Sequence, residues 1–165
     1  MDIKKLSKLN IFDEMKKAAL LTAGTIDDFN TMTIGWATEG VIWGQNVMIV
    51  YVRPSRHTYN YMEKNNYFTV SFYDDEYKKT LGYLGTKSGR DTDKVKDVGF
   101  TKKEIGAGVT FKEAKLSVLC KLLYKQDMNE LNFPKEVLDR YYKTIDGYDD
   151  VHRLYIGQII EIEEK

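Results

Sequence analysis

The residues with the strongest chemical promise follow an apolar run. In "VMIVYVRPSRHTYNYMEKN" the run Val47–Val52 stops at Arg53-Pro54, and two arginines, a histidine and two hydroxyls fall within six residues. Proline has no amide to donate and biases Arg53 toward an extended backbone, so a strand is expected to end there. Ser55 suits the N-cap of a helix running through "RHTYNYMEK", with Thr58 at the third helical position. The free amides and partial positive charge of a helix N-terminus favour a phosphate. Arg53 and Arg56 could add forked, charge-assisted hydrogen bonds, and the Ser55 and Thr58 hydroxyls neutral ones. The same residues equally suit a solvated turn in which Ser55 caps the helix and both arginines lie in water. An arginine at the positive end of a helix is mildly unfavourable without an anion, which tilts the balance toward the cradle.

Two further stretches have site-like composition. "TKSGRDTDKV" places Lys87, Arg90 and Lys94 close together around a Ser88-Gly89 turn, while Asp91 and Asp93 could cap the next turn or accept from a polar ring. A solvated charged loop has the same composition. In "FNTMTIGWA", Asn30, Thr31, Met32 and Thr33 enter a strand just before Trp36. Backbone groups there could pair with a planar heterocycle, with Met32 or Trp36 against its face, although both types are commonly core residues.

Other chemistries are poorly supported. "GYLGTKS" has two residues between Gly82 and Gly85, and Thr86 intervenes before Lys87, so the spacing of a P-loop is absent. No G-x-G-x-x-G follows a strand, which argues against a Rossmann dinucleotide site. His57, His152 and Cys120 are isolated and lack zinc-ligand spacing, so no metal is expected. Cys120 shares an alternating face with Leu116, Val118 and Leu122, which suits a buried, inert thiol. No nucleophile–base pair can be assembled.

The elements that must position these residues read as one domain over residues 1–165. Lys plus Arg and Asp plus Glu both total 25, a balance that gives no support to nucleic-acid or membrane-surface binding. A single cysteine suits a reducing compartment. The apolar runs are too short to span a bilayer and no secretory signal is expected, so a cytoplasmic location is the default. Helical spacing appears in "NIFDEMKKAA", near Glu76–Tyr83 and in "PKEVLDRYYKTI", with Pro134 in the first turn. Strand character appears in "ALLTAGT", "TMTIGWATEGVIWG", "NVMIVYVR", "YFTVSFY", "KLSVLCKLLYKQDM" and "HRLYIGQIIEIEEK", roughly six strands. In "YFTVSFY", Phe68, Val70 and Phe72 oppose Thr69, Ser71 and Tyr73; in the last strand Ile160 and Ile162 oppose Glu161 and Glu163. This pattern predicts a mainly β fold, an antiparallel sheet closed into a small barrel with peripheral helices.

Taken in order, "NTMTIGW", "YVRPSRHTY" with "YFTVSF" downstream, and "LGYLGTKSGRD" resemble the flavin reductase-like group of FMN-binding split-barrel proteins, its flavoredoxin-type branch above all. The similarity runs from Leu20 to Gly99 and resumes in "KLSVLCKLLYKQDM" and "HRLYIGQIIEI"; "TKKEIGAGVTFKEA" carries little motif information. The resemblance implies a homodimeric, six-stranded, Greek-key-like split barrel holding FMN non-covalently near the subunit interface. It implies that Arg53, Ser55, Arg56 and Thr58 hold the phosphate. Lys87, Ser88 and Arg90 would complete the polar pocket, with Asp91 and Lys94 nearby. Asn30, Thr31, Met32 and Thr33 would line the ribityl chain and ring edge, with Trp36 close to the ring and His57 in less direct contact.

By that resemblance the chain is an oxidoreductase in which NAD(P)H, bound transiently, or a protein donor reduces FMN, which passes electrons to an acceptor. Flavin chemistry requires no protein nucleophile, in keeping with the empty searches above. The alternatives are an electron-transfer protein without direct NAD(P)H activity and a cofactor-free binding module on the same barrel. On the last strand, His152 and Tyr155 stand as candidates for contacts across the dimer.

Overall fold

Alternating apolar residues and one tight turn start the sheet. In the computed structural model, which describes residues 2–165, a helix of about two turns, α1 (Ile11–Lys17), leads into β1 (Ala19–Gly24) and β2 (Phe29–Ile34). Gly24 ends β1 at φ 121°, and a Cβ there would lie 2.6 Å from the Phe29 Cα, so the turn requires glycine. β3 (Ala37–Ile42), β4 (Gln45–Val52), α2 (His57–Lys64) and β5 (Tyr67–Phe72) follow. Next come α3 (Lys78–Thr86), α4 (Lys94–Asp97), the hairpin β6 (Lys102–Ile105) and β7 (Gly108–Phe111), and the long β8 (Leu116–Asp127). α5 (Lys135–Tyr141) and the short pair β9 (Lys143–Thr144) and β10 (Gly147–Tyr148) precede the last strand, β11 (Arg153–Glu164).

The main sheet is antiparallel, with order β2-β1-β5-β8-β11-β4-β3. Its two edge strands, β2 and β3, are consecutive in sequence and separated by Gly35-Trp36 alone. Seven strands laid flat would separate those edges by about 29 Å, whereas three Cα steps reach about 11 Å. The sheet is therefore rolled until its edges meet at Gly35-Trp36, and no ladder joins them among the described residues. This is a barrel with an open seam. The same break explains why seven strands stand where six were expected: "TMTIGWATEGVIWG" folds as two strands, not one.

The barrel interior is filled from every strand, by Leu21, Met48, Val50, Phe68, Val70, Phe72, Val118, Cys120 and Tyr155 among others. Burying a Phe or Leu side chain contributes about 1.5–3 kcal/mol, so this cluster dominates stability. The polar side of β5 is buried as well. Thr69 Oγ1 donates to the Val109 carbonyl at 2.5 Å, and the Ser71 and Thr110 hydroxyls lie 2.9 Å apart, because the β6–β7 hairpin covers that face. The hairpin arises from the motif-poor segment and turns at Gly106-Ala107, with Gly106 at φ 47°. A second apolar cluster of Leu20, Tyr73, Leu81, Leu84, Phe100 and Phe111 seals it. In β11 the expected alternation fails at Ile160, where the register against β8 slips and leaves Ile160 half-exposed while Ile162 is buried.

Among the described residues no helix is long and apolar enough to cross a membrane, and no three His, Cys, Asp or Glu side chains gather as a metal site. Tyr155 is wholly buried in its own chain, with its hydroxyl donating to Glu63 at 2.7 Å, so it cannot reach a second copy. Burial and the Glu63 carboxylate push its phenol well above the usual tyrosine range.

Candidate functional site

Strand β2, the start of α2 and the loop after α3 converge on one groove beside the seam. Asn30 Nδ2 donates to Thr58 Oγ1 at 2.6 Å, tying β2 to the first turn of α2. Thr33 Oγ1 donates to the Leu81 carbonyl at 2.6 Å, tying β2 to α3. Two glycines let the loop close. A Cβ on Gly85 would sit 3.0 Å from that of Thr33, and one on Gly89 would collide with the Asn30 carboxamide.

These ties frame a cavity of about 130 Å³ lined by Asn30, Met32, Ser55, Arg56, His57, Thr58, Lys87, Ser88, Arg90 and Lys94, with the backbone of residues 85–89. Four of its side chains are cationic and none is acidic. Arg56, Lys87 and Arg90 are exposed to solvent, so the desolvation cost falls on Lys94. Lys94 shows the cost. It is 4% exposed, its Nζ donates to the Leu84 and Lys87 carbonyls at 2.8 and 3.0 Å, and burial, then Arg56, pulls its pKa down to about 8. His57 Nδ1 is buried with no partner. Burial, then the Arg90 and Lys94 cations, lower its pKa, which keeps the imidazole neutral. His57 thus belongs to the cavity wall, where the sequence reading placed it as a bystander.

A second cavity of about 170 Å³ adjoins the first across Met32 and Arg56, which line both. Its walls are Met32, Thr33, Ile34, Gly35, Trp36, Tyr51, Arg53, Arg56 and His152. Trp36, 42% exposed, packs edge-on against Tyr141 at 5.4 Å and lies 4.8 Å from the His152 ring. His152 is buried against Tyr142, with its Nδ1 2.8 Å from the phenol oxygen. Burial, then Arg53, lowers its pKa to about 4, so it is neutral at physiological pH. It faces this cavity from within its own chain.

Of the expected site residues, Asn30, Met32, Thr33, Trp36, Arg53, Ser55, Arg56, Thr58, Lys87, Ser88, Arg90 and Lys94 line one cavity or both. Thr31 and Asp91 do not. Thr31 Oγ1 accepts from Thr22 Oγ1 at 2.9 Å and donates to the Leu21 carbonyl, so its hydroxyl is engaged against β1. Asp91 lines a neighbouring depression, with Asp28 and Lys102, that shares Asn30, Arg90 and Lys94 with the first cavity.

The expected capping also differs. The N-cap of α2 is Arg56, without a side-chain cap, and Thr58 is the second helical residue. Ser55 instead gives its amide to Asp150 Oδ1 at 2.9 Å and its hydroxyl to Asp150 Oδ2 at 2.6 Å. Arg53 departs from the other cations: it donates to the Tyr141 carbonyl at 2.8 Å, approaches Asp150 at 3.8 Å, and lines the second cavity alone. Of the two aspartates expected to cap the next turn, Asp93 does so, accepting from the Lys96 amide at 3.2 Å. Sequence reasoning missed Tyr51, His152 and Asp150. Tyr51 shares a strand face with Arg53 and was in principle readable; the other two arrive from about 95 residues away with no local signal.

The groove fits a ligand with a compact anion at one end and a planar, partly apolar body at the other. An FMN molecule has that form, and the carboxylate-free cation array and the orphaned His57 nitrogen suit its phosphate.

Comparison with known proteins gives the same direction. The fold is similar to that of flavoredoxin from Methanosarcina acetivorans, with TM-score 0.68 and 22% identity over 90% of this chain and 68% of that one. It is also similar to an FMN-binding protein from Thermus thermophilus with bound 1-cyclohex-2-enone (TM-score 0.66, 21% identity, 89% and 69% covered). A third similar structure is an FMN-binding domain of a flavin reductase-like enzyme from Shewanella baltica (TM-score 0.64, 14% identity, 93% and 74% covered). Among curated proteins none matches the chain. The family profile described as "Flavin reductase like domain" matches residues 15–165, nearly the whole chain, and the protein belongs to the flavin reductase-like domain family.

Proposed function

We propose that this chain binds FMN non-covalently and works as an oxidoreductase, accepting reducing equivalents from NAD(P)H or a protein donor and passing them to an acceptor. The observation that carries this reading is the pairing of a four-cation, carboxylate-free cavity with an aromatic-walled cavity across Met32 and Arg56. FMN supplies reversible hydride and electron chemistry, so the protein needs to bind, orient and tune it. Arg56, Lys87, Arg90 and Lys94, with the Thr58 and Ser88 hydroxyls, would hold the phosphate. Asn30, Met32 and Thr33 would border the ribityl chain, and Trp36, Tyr51 and neutral His152 the ring. Arg53 and Arg56 would oppose negative charge on the reduced ring. The reading includes a homodimer, with a second copy closing over the exposed aromatics Trp36 and Tyr141, and a cytoplasmic location.

The test is a spectrum. The purified protein, loaded with FMN and gel-filtered, should retain a blue-absorbing flavin band that bleaches on anaerobic reduction; a chain that retains no FMN refutes the proposal. Oxidation of NADH or NADPH by the loaded protein separates a reductase from an electron carrier supplied by another protein. The carrier reading has its own support in the likeness to a flavoredoxin.

A further inference from the structure

Ser55 is the residue on which the sequence and the structure disagree most, and the disagreement has a cause. Ser55 lines the first cavity, yet its amide and its hydroxyl are both taken by one carboxylate, Asp150, at 2.9 and 2.6 Å. Arg53 lies 3.8 Å from the same carboxylate and gives its other terminal nitrogen to the Tyr141 carbonyl, while Arg90 donates to the Ser55 carbonyl at 3.2 Å. An amide, a hydroxyl and a guanidinium around two oxygens are the partners a phosphate edge would take.

Asp150 is held in place for this. Its backbone is left-handed, at φ 54°, a region that aspartate tolerates better than most residues, and its amide donates to Asp149 Oδ1 at 2.6 Å. The contact links the start of α2 to the excursion between β8 and β11, some 95 residues later.

We propose that Asp150 is an affinity- and specificity-determining residue, an internal anion that occupies the Ser55 donors and thereby weakens binding of phosphorylated flavins relative to riboflavin. The proposal rests on the FMN reading of the groove. The ligand phosphate then depends on the Arg56, Ser88, Arg90 and Lys94 side of the cavity, in the field of a fixed negative charge. Replacing Asp150 by Asn keeps an acceptor for the Ser55 amide. Its Nδ2 would donate to Ser55 Oγ, which frees the hydroxyl proton for the ligand and removes the repulsion.

Binding of FMN and of riboflavin to the flavin-free wild type and to Asp150→Asn, followed by fluorescence quenching, tests this. Near-ultraviolet circular dichroism checks that the variant keeps the native fold. Asp150→Asn should tighten FMN about tenfold, the size of one charge-assisted contact, and riboflavin less than about twofold. In that background Ser55→Ala should cost FMN affinity more than it does in the wild type. FMN affinity that is unchanged or weaker, or an equal gain for riboflavin, overturns the role of Asp150 and leaves the flavin reading intact. Inorganic phosphate gives an independent arm: at matched ionic strength it should raise the thermal midpoint of Asp150→Asn more than that of the wild type. If that occurs in a chain that binds no flavin, Asp150 stands as an anion competitor and the flavin reading falls.

Discussion

Raising the pH from 7 to 9 should weaken FMN binding about tenfold, and Lys94 is the reason. In the flavin-free chain its burial lowers the ammonium pKa from 10.5 to about 8. A dianion in the adjoining cavity favours the charged form and moves that pKa back up, so binding is coupled to proton uptake. At pH 7 about nine in ten Lys94 side chains already carry the proton; at pH 9 about one in ten does, and the missing proton costs about 1.4 kcal/mol. Arginines remain charged, a phosphate monoester is largely dianionic above pH 7, and His57 is held neutral. Stability of the flavin-free chain should move the other way. The folded pKa lies below the unfolded one, so the unfolded chain holds more protons between about 8 and 10.5 and stability gains with pH there. The assay is a fluorescence titration at pH 7, 8 and 9, with calorimetry in buffers of different ionisation enthalpy to count the proton. Lys94→Gln, which keeps N–H donors for the Leu84 and Lys87 carbonyls, should flatten the profile. An FMN affinity constant across pH 7–9, or binding without proton uptake at pH 9, refutes the placement of the phosphate against Lys94.

Two substitutions test the groove and the barrel separately. Arg56→Ala removes the guanidinium shared by both cavities and should weaken FMN at least about tenfold, with a smaller loss for riboflavin; equal losses for the two ligands would move Arg56 away from the phosphate. Gly157→Ala places a Cβ 2.6 Å from the Phe68 ring and 2.7 Å from the Cys120 Cβ. It should destabilise the fold by about 1–3 kcal/mol in denaturant titration, and an unchanged midpoint would show that β11 yields at its register shift.

What the sequence made legible was local. Arg56, Thr58, Ser88 and Arg90 lie within short segments whose turns and caps are set by neighbours, and the structure brings them together as their composition suggests. Arg53 and Ser55 sit in the same segment and were assigned with them, but their partners, Tyr141 and Asp150, come from a distant excursion with no motif of its own. The polar face of β5 has the same limit: alternation sets Thr69 and Ser71 on one side, and what covers them and answers their hydroxyls is a hairpin about 40 residues later. Even that hairpin had a signal, since Gly106-Ala107 between two β-prone runs is a turn, although the segment carried no motif.

The break at Gly35-Trp36 links these observations. Had "TMTIGWATEGVIWG" run on as one strand, no edge would have been left open and no groove would exist beside Met32. Splitting it gives the sheet two edges that meet without pairing, and the 170 Å³ cavity opens beside that seam, walled by Ile34, Gly35 and Trp36 from the crossing chain. Tyr51, Arg53 and His152 then reach it from the ends of β4 and β11, which pair with each other as Arg153↔Val52. The cation cavity lies on the far side of Met32, where the start of α2 and the loop after α3 supply charge that a strand edge cannot. A planar ring is thus offered a barrel seam and a phosphate is offered loop termini. This division follows from what each kind of backbone can present: strands set apolar and aromatic side chains at fixed spacing, whereas helix starts and tight loops gather donors.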